Sequence, residues 1–486
     1  MNRGSGAGLT CFLLSACLFW LAYTSPALAA PPDSPPAVSG PPAENPLYLI
    51  YLNWDGFGYD LYERANQPPY PGTPNLNRLL AEGVLFTNAS AGVPSLTGPM
   101  QTTLLTGAWP AVHRNYYRGY DKEANLLHQT GRENAAETIA EVFARAGLPT
   151  ASVQQFVLLG RGAWWDNPRH LYLEPGGGFA ERVGRAIDLL RGIPVESESE
   201  WVVVPDLPRF LAVYADDLDA LGHNERPVYG LPPAPDEAGR LDRVVRYLTG
   251  EDPAAYGGGG MDEQLGRLLQ TLRELGIYDR TIIALASDHG MTGFSGPSSL
   301  PDLLTTVARL GYRAQFLRPG ESAFPDTQVV VWTAGLQAHL TFRTELLPGE
   351  EARIIAALAA EEYYGGHLDR VELARRGAHP LSGDLVVWPK PPHHFKADVF
   401  RSYPARGQHD TQDSSSSHIF LALAGPGVKK GVRIETPVSA VDLAPTLAHL
   451  MNLPAPAGAQ GRVLVEAMEN PTDEENANGT AQGPGS

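Results

Sequence analysis

Cysteine is almost absent from this chain, which has 486 residues and two cysteines, Cys11 and Cys17. Both fall within residues 1–29, which we interpret as a signal peptide with a basic Arg3, an apolar run from 9 to 23, and a small-x-small cleavage motif at Ala27-Leu28-Ala29. Once that peptide is removed, the mature protein has no disulfide and no thiolate metal ligand. Any metal site must therefore be built from histidines and carboxylates.

A long apolar stretch is also lacking, because the run from 9 to 23 is short for a bilayer span. We therefore expect no integral membrane domain after cleavage, and a secreted, periplasmic or extracellular protein. The segment Leu14-Ser15-Ala16-Cys17 resembles a lipoprotein processing box, so a lipid anchor at Cys17 is the alternative.

Basic side chains are too few to balance the acidic ones: 37 Lys and Arg stand against 54 Asp and Glu, a formal net charge of −17. Such a surface argues against binding to a nucleic-acid duplex, which requires a basic stripe along the phosphate backbone. An anionic substrate must then be attracted by something local, such as metal ions.

The rest of the chain divides by composition into a Pro-rich linker (30–45), one large folded domain (46–468) and a tail predicted to be disordered (469–486). Within the domain, apolar strands alternate with amphipathic helices. One of these helices is predicted to begin at Thr73-Pro74, with Thr73 as its capping residue. This alternation is typical of an α/β fold with a mainly parallel sheet and helices on both faces. Residues from about 299 to 406 break the alternation and are predicted to include an inserted cap subdomain.

Acidic and imidazole side chains follow three of the predicted strands. Asp55 comes directly after the first strand, Asp219 follows a strand that ends at Tyr214, and Asp288-His289 follows a strand from 281 to 286. Ligands of open parallel sheets bind outside the carboxyl ends of the strands, so these motifs are expected to meet at one edge. Taken singly, each is also compatible with an ordinary polar turn.

Three further residues, His223, His409 and Thr97, are candidates for the same site. Asp219 and His223 are four residues apart, so on a helix they share one face and can hold one ion. His409 adds an imidazole in a late loop. Thr97 lies at a predicted helix start, where amides and the helix dipole favour anions such as phosphate, although a plain Thr cap fits the position equally well.

Five segments appear in the order seen in the alkaline phosphatase superfamily, and in particular in its type I phosphodiesterase/nucleotide pyrophosphatase branch. These are Asn53-Trp54-Asp55-Gly56, Pro94-Ser95-Leu96-Thr97-Gly98-Pro99, Asp219-Ala220-Leu221-Gly222-His223, Ser287-Asp288-His289-Gly290-Met291 and Gly407-Gln408-His409. The resemblance covers roughly residues 47–463. It implies an alkaline phosphatase-like fold, a Thr97 nucleophile and two divalent metal ions, one bound by Asp219, His223 and His409, the other by Asp55, Thr97, Asp288 and His289. Zinc fits these ligands, and manganese or iron is also compatible with them.

The resemblance further implies that Asn115 hydrogen-bonds a phosphoryl oxygen and that Arg161 contacts phosphate. The sulfatases of the superfamily need Cys or Ser with a nearby Arg at the nucleophile, which Thr97-Gly98-Pro99-Met100-Gln101 lacks. Leu159 stands where monoesterases carry Lys, which favours diesters, whereas Arg161 favours monoesters.

The sequence therefore predicts an exported two-metal hydrolase that cleaves phosphodiester or nucleotide pyrophosphate bonds through a phospho-threonine intermediate. Its expected partner is a small phosphorylated substrate, such as a nucleotide or a phosphodiester. A phosphomonoesterase is the alternative enzyme. A non-enzymatic metal-binding protein is the alternative from another class, but it predicts a damaged ligand set.

Overall fold

The structure is a computed structural model that describes residues 48–251 and 259–469. The predicted signal peptide, the Pro-rich linker and all of the predicted tail except Glu469 lie outside the described residues. No helix within the described ranges is both long enough and apolar enough to cross a membrane.

The strands are numbered in chain order. They are β1 (Tyr48–Trp54), β2 (Gly83–Ser90), β3 (Arg118–Asp121), β4 (Leu126–Gln129), β5 (Thr150–Val153), β6 (His170–Leu173), β7 (Val195–Ser197), β8 (Glu200–Val202), β9 (Phe210–Ala215), β10 (Thr281–Ala286), β11 (Thr292–Gly296), β12 (Ala314–Phe316), β13 (Val329–Ala334), β14 (Gln337–Phe342), β15 (Tyr364–Asp369), β16 (Leu385–Pro389), β17 (Tyr403–Gln408), β18 (His418–Ala424), β19 (Val432–Ile434) and β20 (Val438–Ser439).

The helices are numbered in the same way. They are α1 (Tyr59–Ala65), α2 (Pro74–Ala81), α3 (Thr97–Thr106), α4 (Pro110–His113), α5 (Ile139–Arg145), α6 (Phe179–Leu190), α7 (Asp217–His223), α8 (Glu237–Thr249), α9 (Met261–Glu274), α10 (Leu300–Arg309), α11 (Glu350–Ala359), α12 (Arg370–Arg375), α13 (Ser414–Ser417) and α14 (Leu443–Leu450).

A nine-stranded central sheet has the order β19-β2-β18-β10-β1-β9-β5-β6, with β20 paired to β2. Most pairings are parallel, including those of β1 with β10 and with β9. Strand β18 runs antiparallel to both of its neighbours, β10 and β2. The predicted α/β fold with a mainly parallel sheet is confirmed, whereas the reversed direction of β18 is not visible in its apolar pattern.

Both faces of the central sheet are buried, as the apolar composition of its strands requires. In β1, Ile50, Leu52 and Trp54 point into one hydrophobic core. The intervening Leu49 and Tyr51 point into the core on the opposite face. This two-residue period keeps the strand fixed in the sheet, so the residue that follows it, Asp55, has a defined position at the sheet edge.

A second, five-stranded sheet has the order β12-β13-β14-β16-β15. Its strands lie within residues 299–406, the segment whose alternation differs. On one face, Val329 and Val331 of β13 pack in a core shared with α10 and α11. On the other face, Val330 and Trp332 contact Leu96, the residue that precedes α3. The prediction that this segment is an inserted cap subdomain stays a prediction.

The start of α2 differs from the sequence-based expectation in its capping group. Thr73 occupies the capping position and Pro74 the first helical position, but the Thr73 side chain makes no capping hydrogen bond. Instead, the Asp262 carboxylate of α9 accepts hydrogen bonds from the backbone N–H groups of Asn75 at 3.0 Å and Leu76 at 2.8 Å. A distant carboxylate therefore satisfies the free amides of the helix and joins α2 to α9.

We expect Asp262→Ala to lower the free energy of unfolding by about 2 kcal/mol, because it leaves buried amide donors without an acceptor. The matched control is Asp326→Ala, which removes an exposed ion pair with Arg313 and is expected to cost about 0.5 kcal/mol or less. Thermal unfolding of both variants measures the difference. Equal melting temperatures would contradict the capping role of Asp262.

Candidate functional site

Three strand ends place acidic side chains at one edge of the central sheet. Asp55 follows β1, whose neighbours in the sheet are β9 and β10. Strand β10 ends at Ala286 and leads to Asp288-His289, and β9 leads into α7, which carries Asp219. The predicted convergence therefore has a simple origin, because adjacent parallel strands end on the same side.

The first cluster consists of Asp55, Asp288 and His289, all fully buried. The Nε2 atom of His289 lies 3.3 Å from Asp55 Oδ1 and 3.7 Å from Asp288 Oδ2. The other ring nitrogen, Nδ1, lies 3.0 Å from the carbonyl oxygen of Gly290. As an N–H donor to that carbonyl, Nδ1 carries the proton and leaves Nε2 as the free electron-pair donor, which is the form that binds a metal.

The second cluster consists of Asp219, His223 and His409. Asp219 and His223 lie on α7, as their spacing predicts, and His223 Nε2 is 3.2 Å from Asp219 Oδ2. His409 Nε2 approaches the other carboxylate oxygen of Asp219 at 3.6 Å. His223 Nδ1 lies 2.9 Å from the carbonyl oxygen of Gly407, which again directs Nε2 towards the cluster.

The two clusters adjoin each other. The rings of His289 and His409 are stacked with their centroids 3.7 Å apart. Thr97, the first residue of α3, places its Oγ1 3.1 Å from His289 Nε2. The structure therefore brings together all seven residues predicted as metal ligands, with the hydroxyl of Thr97 beside the first cluster. Their role as ligands stays a prediction.

Burial and repulsion between carboxylates raise the pKa values of two aspartates in the site. Burial raises the pKa of Asp55, and the neighbouring carboxylates of Asp288 and Asp219 raise it further. The same two causes, burial and the charge of Asp219, raise the pKa of Asp288 to about 7. Three carboxylates held this close in a buried site require compensation by positive charge.

In the second cluster, the Asp219 carboxylate stabilises positive charge on a neighbouring imidazole. Burial disfavours the charged form of His223, yet the adjacent Asp219 carboxylate raises its pKa to about 9. Burial alone would raise the pKa of Asp219, but His223 and then His409 hold that pKa below its usual range. The Asp219 carboxylate thus favours positive charge at this position, and a metal ion bound there would displace the His223 proton.

The donor atoms fit divalent metal ions. Asp55 Oδ1 and Asp219 Oδ1 are buried carboxylate oxygens without a hydrogen-bond partner among the described residues. In each cluster, the candidate ligand atoms of the three residues lie within 4.8 Å of one another. Imidazole nitrogens and carboxylate oxygens in this proximity match the ligand set of zinc, and they also suit manganese or iron.

Residues that the sequence analysis did not single out support the ligands. Gln101, one turn after Thr97 on α3, donates its Nε2–H to Asp288 Oδ2 at 3.0 Å. It also donates to the side-chain oxygen of Asn53 and accepts from Gln155. The hydroxyl of Tyr214 donates to Asp55 Oδ2. Only the three-dimensional contacts identify these residues, because each is an ordinary polar or aromatic residue in the sequence.

Asn115 and Arg161, the two predicted phosphate contacts, have different surroundings. Asn115 lies over the backbone of Gly98: a Cβ atom on that glycine would be 3.5 Å from Asn115 Nδ2, so the side chain is next to the start of α3. Its buried Oδ1 has no hydrogen-bond partner among the described residues. Asn115 is therefore within the environment of Thr97.

Arg161 is held elsewhere. Its guanidinium forms an ion pair with Glu141 at 2.8 Å, and it donates to the backbone carbonyls of Asn134 and Ala136. These contacts fix the loop before α5 instead of joining the cluster around Thr97. The structure does not bring Arg161 to the other predicted site residues, and its local fork-like contacts are the physical reason.

Comparison with known proteins agrees with the motif order. Residues 49–255 match the family model described as type I phosphodiesterase / nucleotide pyrophosphatase. The mouse (Mus musculus) bis(5'-adenosyl)-triphosphatase enpp4 is 22% identical over 432 residues, which are 83% of this chain and 77% of the relative. Human (Homo sapiens) N-sulphoglucosamine sulphohydrolase is 26% identical over 252 residues, and that match spans 47% of this chain and 48% of the relative.

A solved structure shares the fold. Murine ectonucleotide pyrophosphatase / phosphodiesterase 5, as an inactive Thr-to-Ala variant in complex with AMP, has a TM-score of 0.57 at 17% identity, covering 87% of this chain and 100% of the other. The predicted resemblance and hydrolase class are thus confirmed at the level of the family. Residues 49–255 are therefore similar to the type I phosphodiesterase / nucleotide pyrophosphatase family.

Proposed function

We propose that this chain is a metal-dependent phosphohydrolase that cleaves phosphodiester or nucleotide pyrophosphate bonds, with Thr97 as its nucleophile. The observation that carries the proposal is the position of the Thr97 hydroxyl. It stands at the first residue of α3, 3.1 Å from His289 Nε2 and beside the first of two adjoining clusters of candidate metal ligands. A metal ion bound in that cluster would activate the hydroxyl far beyond that of an ordinary threonine.

Asp219, His223 and His409 would hold one divalent ion, and Asp55, Asp288, His289 and Thr97 would hold the other. Bound there, the ions would supply Lewis acidity, which would lower the pKa of the Thr97 hydroxyl and neutralise charge on the phosphoryl group. Zinc is the first choice, and manganese or iron would use the same donors. Gln101 and Tyr214 orient the carboxylates of Asp288 and Asp55.

The chemistry assigned to the chain is a two-step displacement. Thr97 Oγ1 attacks phosphorus, the bond to the leaving oxygen breaks, and a phospho-Thr97 intermediate forms, which water then hydrolyses. The free amides in the first turn of α3 and the side chain of Asn115, which lies next to Gly98, would contact a phosphoryl group attached at Thr97. They would stabilise its negative charge as it develops.

The surroundings of Arg161 favour diesters over monoesters. A monoester carries one more negative charge than a diester, and a fixed cation normally compensates for it. The guanidinium of Arg161 is engaged with Glu141 and two backbone carbonyls. The relatives named for a bis(5'-adenosyl)-triphosphatase and for a complex with AMP support a small nucleotide as the substrate.

Two other functions are alternatives to this proposal. A phosphomonoesterase would use the same nucleophile and metals and differ only in the group that binds the additional negative charge of a monoester. A non-enzymatic metal-binding protein would bind metals without turnover. Hydrolysis of bis(p-nitrophenyl) phosphate, p-nitrophenyl phosphate and a dinucleotide by the purified protein distinguishes the three functions.

We further propose an exported protein with a signal peptide at 1–29, a linker at 30–45 and a catalytic domain at 46–468 whose segment 299–406 includes a cap, followed by a tail at 469–486. Lipid attachment at Cys17 is the alternative to cleavage near Ala30. The mass of the protein from its native host distinguishes them, since a diacylated Cys17 adds lipid and removes only the preceding residues.

We expect Thr97→Ala to lower kcat by about 10³-fold or more, because the covalent nucleophile is lost. The matched variant Thr97→Ser keeps a hydroxyl at the same position and should retain measurable turnover. Steady-state kinetics with bis(p-nitrophenyl) phosphate, together with the metal content of both variants, tests this. An Ala variant with more than a tenth of the wild-type kcat would rule out the covalent mechanism.

The purified protein should contain two divalent ions per chain and lose its activity to a chelator. His409→Ala and Asp288→Ala should each lose one equivalent of metal, because they remove one ligand from different clusters. Elemental analysis of the freshly purified variants measures this. Active wild-type enzyme without bound metal would contradict the proposal.

Arg161→Ala should leave the ratio of kcat/KM for bis(p-nitrophenyl) phosphate over p-nitrophenyl phosphate unchanged within about threefold, since Arg161 bonds to Glu141 and backbone carbonyls. Its melting temperature should fall, because the carbonyl oxygens and Glu141 lose their donors, at a cost of about 1–2 kcal/mol. A monoester preference that collapses in this variant would show that Arg161 reads the extra charge, and the diesterase assignment would fail.

A further inference from the structure

The segment after β17 that carries His409 is hydrogen-bonded to the segment that precedes Thr97. The residue after His409 is Asp410, which is fully buried. Its backbone N–H donates to the carbonyl oxygen of Ser95 at 2.9 Å, and its Oδ1 accepts from the backbone N–H of Ser95 at 3.1 Å. This reciprocal pair joins the neighbour of His409 to a residue two positions before Thr97.

The second sheet holds the same aspartate from another side. Gln337, the first residue of β14, donates its Nε2–H to Asp410 Oδ1 at 2.9 Å. The backbone N–H of Leu336 donates to the Asp410 carbonyl oxygen at 3.2 Å. The backbone N–H, the carbonyl oxygen and the side-chain Oδ1 of Asp410 are thus bonded to Ser95, to the turn between β13 and β14, or to the first residue of β14.

That turn packs directly on the backbone of His409. At Gly335, where φ is +53°, an added Cβ would lie 2.0 Å from the carbonyl oxygen of His409. Only glycine permits this approach. On the same side, Leu96 packs with Trp332 and Ala334 of β13, so the residue before Thr97 also rests on the second sheet.

We propose that Asp410 is a positioning residue that sets Thr97 relative to His409, and that Gln337 and Gly335 of the second sheet hold it in place. Ser95, Gly335, Gln337 and Asp410 are called the clamp below. The inference rests on the proposed function. Its physical basis is precision: a nucleophile and its metal ligands must keep their relative positions within about 0.5 Å, and a misplacement of about 1 Å can cost on the order of 10²-fold in rate.

The role of Asp410 can be tested with substitutions that do not strain the backbone. It lies at φ +59°, a region that Asp, Asn and Gly adopt more readily than Ala. Asp410→Gly therefore removes the side chain at this φ without a steric penalty. Asp410→Asn keeps an oxygen in the place of Oδ1, which is the atom that accepts from both Ser95 and Gln337.

We expect Asp410→Gly to lower kcat for bis(p-nitrophenyl) phosphate by about 10- to 100-fold with KM within about threefold, because positioning affects the transition state more than ground-state binding. A chelator-competition titration with zinc should find one of the two equivalents weakened about tenfold or more. Asp410→Asn should restore both readouts to within about threefold of wild type.

Gln337→Leu leaves Asp410 intact and removes its side-chain donor from the second sheet, together with the contact between Gln337 Nε2 and His339 Nε2 at 3.3 Å. We expect the same kind of change, smaller in size, and a Gln337→Leu/Asp410→Gly double variant no worse than Asp410→Gly alone, because both substitutions break one unit. Full additivity of the two effects would contradict a shared clamp.

The control is Asp384→Ala. Asp384 is another buried carboxylate of the second sheet: it precedes β16, accepts from the backbone N–H of Phe342 at 2.8 Å and pairs with Lys122 at 2.9 Å. Its loss should lower the melting temperature and leave kcat and zinc affinity within about threefold of wild type. An equal loss of kcat in the Asp384 variant would reduce the role of Asp410 to general stability and overturn the proposal.

The zinc titration separates this inference from the proposed function. A wild-type protein without hydrolase activity, whose zinc affinity still falls in Asp410→Gly and recovers in Asp410→Asn, would refute the proposed function and uphold the positioning role. A folded Asp410→Gly variant with wild-type kcat and zinc affinity would overturn the clamp, whatever the substrate.

Discussion

Three carboxylates, two of them fully buried and one partly buried, lie within one site, and the groups around them must offset their combined charge. Asp55, Asp219 and Asp288 would repel one another and lose solvation together, which raises the pKa of Asp55 and Asp288. Imidazoles, amides and one phenol are their partners within the described part of the chain, and these offset the charge only in part. Such a site is stable when cations occupy it, and it therefore selects for ligands that bring positive charge.

How far the site could be predicted from the sequence depends on how far apart in the chain the interacting residues are. Asp55 and Asp288 could be predicted because their position follows from a local event, the end of a buried strand. The face shared by Asp219 and His223 follows from the helix repeat. Gln101 and Asp410 could not be predicted, because their roles come from contacts with residues 187 and 315 positions away. The contact of Arg161 with Glu141, 20 positions away, was not evident from its motif either.

The start of α2 shows the same difference between local and long-range features. Thr73 and Pro74 predict where the helix begins, because that choice is local. The group that satisfies its amides is Asp262, which only tertiary structure brings near. Strand β18 likewise has the apolar composition of a buried strand, but its antiparallel direction depends on the path of the chain before it. Local patterns determine the elements, and long-range contacts determine their partners.

The second sheet changes how the site must be understood. The segment that breaks the alternation of strands and helices is predicted to include an inserted cap. One face of its sheet packs against Leu96, and its β13–β14 turn packs against His409. Thr97 follows the irregular segment 91–96 and His409 lies in the irregular segment that follows β17. A loop alone holds its side chains less precisely than a strand or a helix does. A sheet with its own core is a rigid support for both, so the precision of the site depends on a segment that supplies none of the predicted metal ligands.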